Sequence, residues 1–406
     1  MKENTPIGFG SSCVHSGFEA EQHRSHLTPI YASSTYLLDS AEHAIALFTG
    51  EEKGNIYARF GSPTTQQAEN KIAALEAFGL TDDKGNPLAL KAILHASGMA
   101  AITTLILSNL QAGEKVISHL SLYGGTQELV DKVLPALNIQ TVLLDMQNLD
   151  AVEEVLKQDK SIRLMYLETP ANPTLQCVDI EKLTALAHRY GCKVAVDNTF
   201  ATPYLQQPFK FGVDFVMHST TKFLNGHGTA IGGVLIGKDI EWMNTKVTKH
   251  FRLLGGNSNA FDAFLLINGM KTLELRMQRH CSNAEKVAAF LHTHLAIAFV
   301  NYLGLESHPH YALCKKQMRH PGALMSFEIK GGFEASKKFI NQLQLCTHAV
   351  SLGTCDTLVS HPASTTHVGV ARELRIQSGI TDGLIRMSVG IENVEDIIHD
   401  LEQALS

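Results

Sequence analysis

The stretch CKVAVDNTFATPYLQQPFKFGVDFVMHSTTK, residues 192–222, holds two short apolar runs that each end in polar side chains. The first run ends at Asp197, and the second leads through Ser219 to Lys222. Similar runs precede it, separated by segments with helical periodicity: KAILHA (91–96), EKVISH (114–119) and IRLMYLE (162–168). Short apolar strands that alternate with helices predict an α/β domain whose sheet is mainly parallel and covered on both faces.

The rest of the chain divides around this domain. Residues 1–60 contain short apolar pieces between Gly, Ser, Thr and Pro, and we expect an extended N-terminal arm. The α/β pattern occupies residues 61–257, with helices expected around Ala101–Leu110 and Asp179–Tyr190. Residues 258–406 are predicted to form a smaller α+β domain that begins with a long helix at about 258–295. It continues with strands in ALMSFEIKGG (323–332) and LIRMSVGIEN (384–393), and with helices in EASKKFINQLQL (334–345) and VEDIIHDLEQALS (394–406).

Composition excludes several classes of protein. The 406 residues carry 34 Lys and Arg against 40 Asp and Glu, a net charge of −6, so neither nucleic acid nor an anionic membrane is expected as a partner. No apolar run is long enough to span a bilayer. The seven scattered cysteines lack a CxxC pair, which favours reduced thiols and a cytoplasmic location. The closest histidine pairs, His292/His294 and His308/His310, lack an evident third ligand, and no metal is expected.

Ligands of open α/β sheets gather at the carboxyl ends of the strands. In this sequence one such end suits an anion and another suits a cation. The strand KAILHA runs into Ser97-Gly98-Met99 and then a helix, whose N-terminal N–H groups suit an anion. A glycine turn required only for packing is the alternative. Asp197 follows a buried strand and needs a cation or strong donors, unless it caps a local turn.

Two basic residues complete the set of candidates. Lys222 follows the hydroxyls of Ser219 and Thr221, which suit a phosphate, and a lysine at the mouth of a sheet can lose its proton and act as a nucleophile. Arg386 alternates with apolar residues on a strand, where a guanidinium is costly unless it binds a carboxylate. The alternatives are a surface position for Lys222 and a structural ion pair for Arg386. All four candidates have a common explanation in pyridoxal-phosphate (PLP) chemistry, which uses a Schiff-base lysine, an acid at the pyridine nitrogen and a phosphate cradle.

The sequence also resembles a known family over nearly its whole length, from about Gly8 to Leu405. It is similar to the Cys/Met-metabolism family of PLP enzymes, which includes methionine γ-lyase, the cystathionine lyases, cystathionine γ-synthase and the homoserine-ester sulfhydrylases. The resemblance implies the aspartate-aminotransferase-like fold, fold type I, with a smaller α+β C-terminal domain. It is carried by YARFGSPT, ASGMAAI, LYGGT, YLETPANP, VDNTFATP, HSTTKFLNGHG, SLGTCDTLVSHPASTTH and LIRMSVGIEN.

The resemblance implies a role for each matching residue around the cofactor. Lys222 holds PLP as a Schiff base and then moves the substrate α-proton, while Asp197 pairs with the pyridine nitrogen. Tyr123 stacks on the ring and acts as acid–base near the leaving sulfur, and Asn172 contacts the ring hydroxyl. The phosphate is held by Gly98, Met99, Ser219 and Thr221.

Further implied roles concern the substrate and the assembly. Arg386 and the Ser351 region bind the substrate carboxylate. Tyr57 and Arg59 reach the phosphate of the neighbouring subunit, so the N-terminal arm completes a catalytic dimer, and dimers pair into a homotetramer.

The sequence is mixed as to which member of the family it resembles. Gly125 stands where methionine γ-lyases commonly carry a reactive cysteine, and RLLGGNSNAFDAF (252–264) lacks their Lys-Asp pair. At position 350 the apolar valine is similar to the methionine γ-lyases, whereas cystathionine γ-lyases and γ-synthases have a glutamate there. We therefore predict a C–S lyase that acts on methionine, cystathionine or a cysteine-class substrate and releases a thiol, ammonia and a 2-oxo acid. The alternative is γ-replacement, by a cystathionine γ-synthase or an O-acyl-homoserine sulfhydrylase.

Overall fold

A computed structural model describes residues 7–19, 24–366, 368–369, 371–377 and 379–406. Within these residues the chain forms a seven-stranded and a five-stranded sheet. The strands of the larger sheet are β1 (Lys91–His95), β2 (Lys115–His119), β3 (Gln140–Leu144), β4 (Ile162–Glu168), β5 (Lys193–Asp197), β6 (Phe215–His218) and β7 (Gly233–Gly237).

The larger sheet has the strand order β1-β7-β6-β5-β4-β2-β3. Strands β2 to β6 pair in parallel, whereas β7 runs antiparallel to both β1 and β6. Because β4, β5 and β6 are parallel neighbours, their carboxyl ends lie side by side at one edge of the sheet. The predicted α/β class with a mainly parallel sheet is confirmed, and this edge is where the candidate residues were expected.

The helices that accompany the larger sheet cover both of its faces. Along β5, Val194 and Val196 pack with one cluster of buried side chains and Ala195 with another, as the period-2 geometry of a strand requires. The helices that precede β8 in the chain are α1 (Phe9–His15), α2 (Ala41–Thr49), α3 (Pro63–Glu76), α4 (Gly98–Asn109), α5 (Gly124–Glu128), α6 (Leu149–Gln158), α7 (Ile180–Arg189), α8 (Thr202–Leu205), α9 (Ile240–Trp242), α10 (Thr248–Leu254), α11 (Ala260–Lys271) and α12 (Leu273–Thr293).

The C-terminal part builds a second core. Its strands are β8 (Ile297–Asn301), β9 (Leu324–Ile329), β10 (Thr347–His348), β11 (Leu358–Ser360) and β12 (Leu384–Ser388), in the order β10-β11-β12-β9-β8. Its helices are α13 (Tyr311–Gln317), α14 (Gly332–Gln342), α15 (Arg372–Gln377) and α16 (Val394–Leu405). Ile385 and Met387 of β12 pack with Phe339 and Leu401 in this core. Among the described helices, none has the length and apolar character needed to cross a membrane.

The N-terminal arm is not extended throughout, because α1 and α2 form within it. Phe9 of α1 is buried, and its ring packs edge-on against Phe78, at 5.2 Å between centroids. Burying this aromatic side chain accounts for a helix where short apolar pieces between Gly, Ser, Thr and Pro suggested extended chain. The reach of the arm to a neighbouring subunit, and the boundaries 1–60, 61–257 and 258–406, stay predictions.

The single helix predicted at about 258–295 is wrong, because α11 and α12 are separated at Thr272. In a continuous helix the carbonyl of Gly269 would accept from residue 273. Here it accepts from the buried Arg276 guanidinium at 2.8 Å and from the Thr272 amide at 3.3 Å. Arg276 also donates to the carbonyl of Phe223 at 2.8 Å, so the break ties α12 to the turn that follows Lys222.

We expect Arg276→Met to lower the free energy of unfolding by about 2–4 kcal/mol, because buried carbonyls on two segments lose their donor. Arg279→Met is the matched control: Arg279 lies on the same helix, is exposed, and donates to the Glu392 carbonyl at the surface. Its effect should stay within about 0.5 kcal/mol. Chemical unfolding measures the free energy for both variants. Equal effects would show that the Arg276 contacts contribute nothing to stability.

Candidate active site

A cavity of about 280 Å³ opens at the carboxyl ends of β4, β5 and β6, beside the N-terminus of α4. It brings together nine of the residues predicted from the sequence: Gly98, Met99, Tyr123, Asn172, Asp197, Ser219, Thr221, Lys222 and Arg386. Ser351 lies beside them, bonded to both Lys222 and Arg386.

Lys222 stands in a compact turn directly after β6. Its amide donates to the Ser219 carbonyl at 3.2 Å, and its carbonyl accepts from the Gly226 amide at 2.8 Å. Its ammonium donates to Ser351 Oγ at 3.0 Å. Burial, and then the charge of Arg386, lower the pKa of Lys222 to about 8. The side chain is therefore far closer to a neutral amine than a lysine in water, as a nucleophile or base requires.

Asp197 ends β5 with donors on both carboxylate oxygens. The Thr199 amide donates to Oδ1 at 2.9 Å, and the Tyr166 hydroxyl donates to Oδ2 at 3.3 Å. Burial raises the pKa of Asp197, while the bonds from Thr199 and the charge of His218 act in the opposite direction. The strong donors expected for a carboxylate at this position are therefore present.

The start of α4 forms a cradle for an anion. Ser97 caps the helix by accepting from the Ala100 amide at 3.1 Å, and the first helical residues, Gly98 and Met99, line the cavity. A Cβ on Gly98 would lie 2.9 Å from the Cβ of Ser219, so only glycine lets the helix approach the end of β6 this closely. Backbone N–H groups and the Ser219 hydroxyl thus converge on one spot, with a positive helix end behind them.

Arg386 projects from β12 into the same cavity and is buried. One of its terminal nitrogens, Nη2, donates to the Ser351 carbonyl at 2.7 Å. Its Nε is buried and has no hydrogen-bond partner among the described residues. Burial lowers the pKa of Arg386 to about 10, which leaves it a cation at neutral pH. A buried cation with an unused donor is suited to bind a carboxylate.

Tyr57 and Arg59 do not line this cavity. The Arg59 guanidinium donates to the Arg252 carbonyl at 2.6 Å and lies over the ring of Phe60, 4.9 Å from its centroid. Their contact with a neighbouring subunit stays a prediction.

Sequence reasoning did not single out Glu168, which ends β4 and lines the cavity. It stands directly opposite Asp197 in the pairing of β4 with β5, and its Oε2 accepts from the Tyr123 amide at 2.6 Å. Burial, and then the charge of Asp197, raise the pKa of Glu168 to about 8. The strand-end rule applied to IRLMYLE would have identified it.

Comparison with known proteins gives these features a chemical context. Residues 10–406 match the family described as Cys/Met metabolism PLP-dependent enzyme. The chain belongs to this family. It is 46% identical to an L-methionine γ-lyase of Fusobacterium nucleatum subsp. polymorphum, with 99% of each chain covered. The family confirms PLP as the cofactor, and the relatives confirm the class of a PLP-dependent C–S lyase.

Solved structures agree on the fold. A cystathionine γ-synthase from Xanthomonas oryzae pv. oryzae, in complex with aminoacrylate and cysteine, superposes with a TM-score of 0.90 at 33% identity over 99% of this chain and 98% of the other. A putative O-acetylhomoserine (thiol)-lyase from Campylobacter jejuni, with N′-pyridoxyl-lysine-5′-monophosphate, gives 0.90 at 32% identity over 98% and 100%. The predicted aspartate-aminotransferase-like, PLP-dependent fold is confirmed.

The residues present fit this cofactor. PLP carries a phosphate, a basic ring nitrogen and an aldehyde. The cradle at Gly98, which a Cβ would fill, suits the phosphate, and the carboxylate of Asp197 suits a protonated ring nitrogen. The amine of Lys222 suits the aldehyde, because burial shifts it toward the neutral form.

The lowered pKa of Lys222 predicts the pH dependence of cofactor uptake. Only the neutral amine attacks an aldehyde, so incorporation of PLP into the apo-enzyme should accelerate with pH and level off above about pH 8. A lysine with the ordinary pKa of ~10.4 would level off at a much higher pH. Growth of the visible absorbance of bound PLP measures the rate. In Arg386→Met the midpoint should move upward, because the neighbouring positive charge is lost. A rate that still rises steeply above about pH 9.5 in the unmodified enzyme would contradict the prediction.

Proposed function

We propose that this enzyme cleaves methionine by α,γ-elimination and releases a thiol, ammonia and a 2-oxo acid. The observation that carries the proposal is the uncharged, apolar wall of the cavity beyond Lys222 and Arg386. Val350, Leu352 and Ile231 form this wall. The high identity to L-methionine γ-lyases supports the same substrate.

The wall distinguishes substrates by the charge at their distal end. The acidic residues among the described lining side chains are Asp197 and Glu168, and both are already bonded, to Thr199 and Tyr166 and to the Tyr123 amide. A thioether that ends in a methyl group contacts the apolar wall without removing a charged group from water. Cystathionine ends in an ammonium and a carboxylate, and an ammonium without an acid partner is costly to remove from water.

The side chains divide the work of elimination. Arg386, whose guanidinium lines the cavity, binds the substrate carboxylate and fixes the α-carbon near Lys222. Lys222, held by Ser351, removes the α-proton and then a β-proton, and its lowered pKa suits a base that works near neutral pH. Tyr123, whose amide is held by Glu168, delivers a proton to the leaving sulfur. PLP, when bound, supplies the electron sink that stabilises negative charge on the substrate carbons.

A substrate panel tests the proposal directly. We expect 2-oxo acid and ammonia from methionine alone, with a kcat/KM at least about tenfold above that for cystathionine, which corresponds to ~1.4 kcal/mol of discrimination. Release of 2-oxo acid and of thiol are measured together. Product that forms only when a homoserine ester meets a thiol would instead establish γ-replacement and overturn the proposal.

Val350→Glu tests the wall itself. A carboxylate at this position gives the distal ammonium of cystathionine a partner, so kcat/KM for cystathionine should rise while that for methionine falls. Val350→Gln is the matched control, with nearly the same shape and no charge, and should lower activity on methionine without the gain on cystathionine. Equal responses to Glu and Gln would show that charge at this wall does not select the substrate.

We also propose that the active unit is a dimer, that dimers pair into a homotetramer, and that the protein is cytoplasmic. The exposed apolar side chains of the N-terminal arm, among them Leu37, Ile45 and Phe48, support an arm covered by another subunit. Arg59 supports exchange of the arm, because a dianionic phosphate needs a cation and the cradle at Gly98 supplies only neutral donors. The seven free cysteines support a reducing compartment.

Mixed subunits test this sharing. Arg59→Ala should weaken PLP retention, and Lys222→Ala should abolish turnover. When both variants are co-expressed, each hybrid dimer regains one site with Lys222 from one subunit and Arg59 from the other. Activity should recover toward about a quarter of the unmodified enzyme. Hybrids without activity, or Arg59→Ala with unchanged PLP retention, would contradict a shared site.

A further inference from the structure

A polar network lies buried beneath the cavity and has no place in the chemistry described so far. Its centre is Glu76, the last residue of α3, and His218, the last residue of β6. His218 Nε2 lies 2.6 Å from Glu76 Oε1, and both side chains are 0% exposed. An ionisable pair this deep is costly to desolvate, so its presence requires a reason beyond packing.

The network connects the ends of three strands that build the site. Asn198, which follows Asp197 at the end of β5, donates to Glu76 Oε1 at 3.2 Å and to the Gln206 carbonyl at 2.9 Å. Gln206 in turn donates to the Asn198 side chain and to the carbonyl of Thr169, each at 3.0 Å. Thr169 follows Glu168 at the end of β4, so β4, β5 and β6 are bonded to one another behind the site.

The network occupies the face of the sheet opposite the cavity. Met217 lines the cavity, and the next residue, His218, therefore points to the other face. The same alternation places Asp197 toward the cavity and Asn198 away from it, and the Asn198 amide donates to the Met217 carbonyl at 2.9 Å. Among the described residues, His218 contacts the carboxylate of Glu76 and interacts electrostatically with Asp197.

We propose that Glu76 and His218 are positioning residues that hold Asp197 in the orientation that the cofactor requires, by fixing the end of β5 from behind the site. Glu76 accepts from the imidazole of His218 and from the side chain of Asn198, so one carboxylate oxygen joins the ends of β5 and β6. Asn198 fixes the backbone that carries Asp197, because it is bonded to Glu76 itself. The direction in which His218 shifts the pKa of Asp197, downward, agrees with this role.

The inference rests on the proposed pairing of Asp197 with the ring nitrogen of PLP. It goes beyond that pairing, because neither Glu76 nor His218 lines the cavity or contacts substrate. Without the Glu76 carboxylate, the imidazole of His218 and the side chain of Asn198 lose the acceptor that they share. The segment that carries Asp197 would then be held less firmly, and Asp197 would bind a pyridinium less well. Removal of Glu76 should therefore act on cofactor affinity only while residue 197 is an acid.

A double-mutant cycle on PLP affinity tests this dependence. Titration of the apo-enzymes with PLP gives the dissociation constant for the unmodified enzyme, Glu76→Gln, Asp197→Asn and the combination. We expect Glu76→Gln to weaken PLP binding about tenfold when Asp197 is present and less than about twofold in the Asp197→Asn background. Equal weakening in both backgrounds, or none in either, would overturn the inference. Unchanged affinity in Asp197→Asn alone would instead overturn the proposed role of Asp197.

Thr221→Ala provides the matched control, since Thr221 belongs to the phosphate side of the cavity. Its effect on PLP affinity should add to that of Glu76→Gln without coupling. A network that only supports the shape of the strand ends would couple to Thr221 and to Asp197 alike, and that result would overturn the inference. Chemical unfolding of each apo-enzyme shows whether it is folded. If Glu76→Gln does not fold, the combination Glu76→Gln/His218→Asn replaces the pair by two neutral amides and enters the same cycle.

Discussion

Ser351 joins the two halves of the active site. Its hydroxyl accepts from Lys222, at the end of the larger sheet, and its carbonyl accepts from Arg386, on the smaller sheet. Two cations thereby share one cavity, and their repulsion, added to burial, lowers the pKa of Lys222. A carboxylate bound to Arg386 cancels that repulsion and raises the affinity of Lys222 for a proton. Substrate binding therefore strengthens Lys222 as a base at the moment when it has a proton to remove.

Neighbouring charges also shift the pKa of the acidic residues that line the cavity. Glu168 and Asp197 stand opposite each other on adjacent strands, and the charge of Asp197 disfavours ionisation of Glu168. The pKa of Glu168 rises to about 8, so this side chain carries a proton at neutral pH. Burial raises the pKa of Asp197 as well, but the bonds from Thr199 and the charge of His218 oppose that rise. Asp197 is therefore the carboxylate better suited to face a pyridinium, while Glu168 holds the Tyr123 amide.

Prediction from sequence succeeded where local pattern determines position. Asp197 and Lys222 end apolar runs, and parallel strands must bring such ends together, so their meeting in one cavity was foreseeable. Arg386 was recognisable as a guanidinium on an otherwise apolar strand. The break at Thr272 was not, because it depends on where the Arg276 side chain goes, and that depends on a turn about fifty residues earlier in the sequence. The Glu76–His218 pair joins residues 142 positions apart, and neither of them carries a local signal.

The alternation of side chains along a strand explains why chemistry and support lie back to back. Each of β4, β5 and β6 sends one residue at its end into the cavity and a neighbour to the opposite face, which pairs Glu168 with Thr169, Asp197 with Asn198 and Met217 with His218. Glu76 Oε2 and His218 Nδ1 have no hydrogen-bond partner among the described residues, and each such buried atom costs about 1–3 kcal/mol. An apolar pair would avoid this cost but would not bond to Asn198, the residue that follows Asp197. The fold therefore gives up stability directly beneath the site, and the proposed positioning of Asp197 gives a physical reason for the buried pair.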